Sequence, residues 1–62
     1  MERVLKILME RDDLSRDEAR EQIADFEKEL EEAIMSGDIL EGEELLKLHF
    51  GLEPDFLTDF LL

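Results

Sequence analysis

No cysteine occurs in this chain, so neither a disulfide nor a thiolate-bound zinc can brace it. A single histidine, His49, falls short of the ligand set that a structural transition-metal site needs. Tryptophan and tyrosine are missing as well, and Phe26, Phe50, Phe56 and Phe60 supply all the aromatic bulk. β-Branched residues are few: Val4, Ile7, Ile23, Ile34, Ile39 and Thr58. Without alternating runs of such residues there is no strand signal. Repeats, Gly/Ser linkers and low-complexity blocks are absent too. No apolar run approaches the roughly 18 residues of a membrane span. The start, "MERVLKILMERDD", is interrupted by acids and leads to no small-residue cleavage site, unlike a signal peptide. A cytoplasmic location is the resulting expectation.

Positive charge is also scarce. Seven Lys and Arg face 19 Asp and Glu, for a net charge of −12. The imbalance deepens along the chain. Residues 1–14 hold four acids and three bases, residues 15–37 eight and three, and residues 38–62 seven and one. A field of this sign repels nucleic acid and anionic lipid, and it attracts basic surfaces. Hydrophobic content of 44% nevertheless argues against disorder. With 62 residues the chain is a single domain, residues 1–62. A core of this size seldom supplies more than about 3–5 kcal/mol. Efficient helix packing, or a partner chain, has to compensate.

The expected fold class is all-α, a small bundle of three to four short helices. In "LSRDEA", Ser15 followed three residues later by Glu18 is a capping box, with Leu14 and Ala19 placed as a staple. Ala19, Ile23, Phe26, Leu30 and Ala33 then recur at helical spacing, and Ile34 widens the stripe. Gly37 is a natural stop, so a helix is predicted over 16–36. Upstream, Met1, Val4, Leu5 and Leu8, with Ile7 and Met9, give a short helix at 2–11. Asp12 and Asp13 follow as turn residues. Asp38 and Glu41 repeat the capping pattern before Leu45, Leu46 and Leu48, which predicts a helix at 39–50 closed by Gly51. Gly42 weakens its first turns by roughly 1 kcal/mol relative to Ala. Pro54 suits a first helical position and opens a last helix at 54–61. There Phe56, Leu57, Phe60 and Leu61 form a broad apolar face that must dock between the second and third helices or on another chain. Met1, Met9 and Met35 read as core filler.

Catalytic patterns are thin. Ser15 is occupied as a cap, and no Ser/His or Cys/His arrangement exists. His49 sits near the end of its helix, where a partly protonated imidazole favours the dipole. "DDLSRDEARE" and "SGDILEGEE" both lack the spacing of a calcium loop. No catalytic residue, metal or cofactor is therefore expected. One feature stands apart from a generic acidic surface. Glu18, Glu21, Asp25, Glu29 and Glu32 are spaced 3, 4, 4 and 3 residues apart, which lines them up along one side of the second helix, away from its apolar face. Neighbours in this row sit roughly 4.5–6 Å apart along the axis. Like charges at these spacings destabilise a helix by a few tenths of a kcal/mol per pair, and Arg20 and Lys28 relieve only part of that.

"ERDDLSRDEAREQIADFEKELEEAI" followed by "LLKLHFGLEPDFLTDFL" resembles a family of small acidic open reading frames of bacteriophages and prophages. That family shows an E-R-D-x-L-[ST]-x-x-E-A opening and an L-G-L-E-P-D-[FY] ending. The likeness runs from Glu10 to Leu62, and "LEPDF" at 52–56 is its most specific part. Phe50, directly before Gly51, departs from the leucine expected there. The resemblance implies a small helical phage protein that acts by binding, with no catalytic residues to carry over. In that setting, binding a basic groove of a host nucleic-acid-binding protein would inhibit it by anionic mimicry, as an anti-CRISPR protein does. The expected partner is a basic protein surface rather than nucleic acid or membrane. The alternative is an assembly module that forms a homodimer through Phe56, Leu57, Phe60 and Leu61.

Overall fold

The helices follow the local signals closely. In the computed structural model, which describes residues 2–61, α1 spans Glu2–Arg11, α2 Arg16–Met35 and α3 Ile39–Phe50. A 3-10 turn over Pro54–Leu57 then runs into α4, Thr58–Leu61. The fold is all-α. Met1, placed by the sequence on the apolar side of α1, lies outside the described residues. The last element corrects the expectation of one helix at 54–61: it opens as a tighter 3-10 turn, with Glu53 as its cap and Pro54 inside it.

Both halves of the capping box form at the start of α2. The Glu18 N–H donates to Ser15 Oγ at 3.1 Å, and the Ser15 N–H donates to the Glu18 carboxylate at 2.9 Å. Ahead of it, Asp13 takes a positive φ of 55°, a conformation that Asp tolerates better than most residues. It turns the chain from α1 into α2. At the other end, Gly37 has φ 77°. Its N–H reaches the Ile34 carbonyl at 2.9 Å, and the Asp38 N–H reaches the Ala33 carbonyl at 3.0 Å. This pair of bonds is the Schellman closure. It ends α2 at Met35, one residue short of the predicted bound, with Ser36 as the cap. Asp38 then caps α3, its carboxylate accepting from the Glu41 N–H at 3.1 Å. Three residues thus reverse the chain and set α3 against α2.

The core lies where α2 meets its neighbours. Val4, Leu5 and Leu8 of α1, Ala19, Ile23, Phe26, Leu30 and Ala33 of α2, and Leu46 and Phe50 of α3 are buried, along with Leu52 and Leu57. The five α2 positions are those of the predicted stripe. Three apolar residues depart from expectation. Ile34 is 43% exposed, because it stands at the edge of the stripe, and Met35 and Leu48 are each 80% exposed. Met35 is therefore surface rather than core filler, and Leu48 points away from α2.

The rings gather at one point. Phe26 is fully buried, with Phe60 at 4.7 Å, Phe50 at 5.2 Å and His49 at 5.6 Å between ring centroids. The C-terminal segment therefore docks on its own chain, over α2 and α3. A second tie secures it: both guanidinium nitrogens of the Arg3 fork donate to Asp59, at 3.0 and 2.9 Å, while the same guanidinium lies 4.2 Å from the Phe56 ring centroid.

Gly42 is a buried helical residue, and its reason is space. A Cβ there would stand 2.8 Å from Leu30 Cδ1 and 3.8 Å from Leu57 Cδ2. The missing side chain is what lets α3 approach α2 and the 3-10 turn. Gly42→Ala should be close to neutral, since the helix-propensity gain of about 1 kcal/mol offsets a rotation of the Leu30 side chain. Gly42→Leu has no such escape and should cost about 1–3 kcal/mol by overpacking. Urea midpoints of the two variants give the comparison.

Candidate acidic interface

The row on α2 survives in three dimensions, with its members in unequal states. Glu18, Glu21, Asp25, Glu29 and Glu32 are all exposed. At 100° per residue they occupy a sector of about 80°, centred some 120° from the buried stripe. From Glu18 to Glu32 the row is about 21 Å long. Its backing is firm: α2 is closed by hydrogen bonds at both ends and packed along its length on α1 and α3.

Two of the five carboxylates have local engagements. Glu18 belongs to the capping box, and the hydrogen bond from the Ser15 N–H holds its carboxyl below the ordinary glutamate range. Glu29 pairs with His49 Nε2, which reaches across from α3. This contact reassigns His49. Instead of only closing the end of α3, it joins that helix to the row and sets its ring edge-on to Phe26. No local sequence signal links residues 29 and 49, which come together only through the packing of two helices.

Glu21, Asp25 and Glu32 form no ion pair among the described residues. Neither do Arg20 and Lys28, which the sequence sets near the row. The cations that do pair serve other places: Arg3 binds Asp59, Arg11 binds Asp12, and Arg16 approaches Glu2 at 3.7 Å. The Arg11 fork holds the Asp12 carboxyl below its ordinary range. The paired cations thus lie around α1 and the first turn of α2, and within the row only Glu29 has an ion-pair partner among the described residues.

The apolar residues expected to form a self-association face are divided by the structure. Leu57 is buried in the chain's own core at 5% exposure, Phe56 and Phe60 are half-buried, and Leu61 is 46% exposed. Leu57 is therefore not available to a second chain, and Phe60 offers only the part not covered by Phe26. Among the described residues no polar or charged side chain is buried, and no group of three or more Asp, Glu or His could hold a metal ion. No described helix is long and apolar enough to cross a membrane. Comparisons with family models, with curated proteins and with solved structures find no match to this chain.

Proposed function

We propose that the chain is a small acidic interaction protein that binds a basic protein surface through the α2 row. Its partner would be a host nucleic-acid-binding protein whose basic groove it occupies by anionic mimicry, in the manner of a phage-encoded or anti-CRISPR inhibitor. The observation that carries this reading is the arrangement of Glu21, Asp25 and Glu32. They are exposed, unpaired among the described residues, and fixed on a capped 20-residue helix. With Glu18 and Glu29 included, the row advances by about 4.5–6 Å per charge, against about 3.4 Å of axis per phosphate on one nucleic-acid strand. Rigid placement matters, because a preformed array of charges loses little freedom on binding. Electrostatic complementarity of this kind chiefly sets association rate and specificity.

Capture of partners from a host lysate, at low and at high salt, tests the reading. The captured protein should carry a basic surface and be released as salt rises. Replacing Glu21, Asp25 and Glu32 with Lys should weaken its binding by about 100-fold, close to 3 kcal/mol. The variant should keep the helical circular dichroism of the parent, since all three residues are exposed. Capture that ignores both salt and these substitutions would refute the proposal.

A further inference from the structure

A second surface lies on the other flank of α2. Leu30, Ile34 and Met35 of α2 and Phe60 of α4 line a shallow cleft of about 260 Å³, rimmed by Glu27 and Glu31. Leu30 is buried and Phe60 half-buried, whereas Ile34 and Met35 are 43% and 80% exposed. The cleft therefore has a packed floor and open apolar walls. Methionine suits such a wall, because its flexible thioether adapts to the side chain it meets. Around the helix, Glu27, Glu31 and Ile34 project about 80–140° from the nearest edge of the acid row, and Met35 stands between, about 40° from it.

The charge around the cleft selects its occupant. Glu27 and Glu31 sit one turn apart and form no ion pair among the described residues. The last turn of α2 holds no basic residue, so the negative end of its dipole is left without a cation. A second copy of this chain would bring another net −12 against this rim. We infer that the cleft seats a basic amphipathic helix of a partner protein, with an apolar side chain between Ile34, Met35 and Phe60 and Lys or Arg residues on Glu27 and Glu31. Helix-in-groove recognition works in this way: apolar anchors one turn apart supply affinity, and flanking charges set orientation.

The test uses two synthetic probes on the full chain, an amphipathic leucine–lysine helix and an oligolysine of equal charge. The leucine–lysine peptide should shift the amide resonances of Leu30, Ile34, Met35 and Phe60. Its affinity should fall roughly tenfold or more in Ile34→Ser/Met35→Ser. Because Ile34 is only partly exposed, Met35→Glu serves as a second variant: its residue is 80% exposed, and its thermal midpoint should match the parent's. Oligolysine should bind parent and cleft variants alike, with shifts along the acid row. Equal affinity of the leucine–lysine peptide for parent and cleft variants would overturn the inference. So would shifts confined to the acid row, or a parent dimer in sedimentation that the cleft variants lose. The surface stands independently of the α2 row: if the Glu21, Asp25 and Glu32 reversals leave oligolysine binding intact, the row fails while the cleft remains.

Discussion

Phe26→Ala should unfold the protein at room temperature. Phe26 is fully buried and touches three other rings, with centroid separations of 4.7 to 5.6 Å. Truncating a buried Phe costs about 3–5 kcal/mol through lost transfer energy and the cavity left behind. A core from a chain this short supplies about the same amount in total. The variant's helical circular dichroism should collapse in buffer, without denaturant. Phe26→Leu keeps much of the volume and should remain folded, with a cost of about 1–2 kcal/mol. A well-folded Phe26→Ala protein would mean that stability resides elsewhere, in helix propensity or in association.

Ending the chain at Asp55 should have nearly as large an effect. The cut removes Leu57, which is 5% exposed, and Phe60, which covers Phe26 and lies parallel to Phe50 at 6.4 Å. Burial of the leucine alone contributes about 1.5–3 kcal/mol, and an aromatic pair adds about 0.5–1.5. Phe26 and Leu30 would then lose the cover of Phe60, and the Arg3–Asp59 pair would be lost. The shortened chain should be largely unfolded by circular dichroism and amide exchange. If it stays folded and differs only in sedimentation, the C-terminal segment serves assembly and not the core.

Much of this architecture is legible in the residues because its signals are local. Ser15 and Glu18 read each other across three positions, and Gly37 closes α2 with its immediate neighbours. These elements need no knowledge of what packs against them. The acid row is legible for the same reason, since helix geometry alone decides which residues share a side. Exposure at the edge of a stripe is different. Whether Ile34, Met35 and Leu48 are covered depends on where α3 and α4 come to rest, and periodicity does not contain that. Gly42 looks like a weakness along its own helix, and only the approach of Leu30 shows it as a contact. The Glu29–His49 pair and the Arg3–Asp59 fork join residues 20 and 56 positions apart. The cleft beside Phe60 belongs with them. Its one sequence trace is two adjacent apolar residues, Ile34 and Met35, placed beyond Glu27 and Glu31.

The Arg3–Asp59 fork has a bearing on how the molecule can be handled. It places the first turn of α1 within side-chain reach of α4. Joining the ends through a short flexible loop, and reopening the backbone at the Asp12–Asp13 bend, would reorder the helices along the polypeptide while leaving their neighbours in space unchanged.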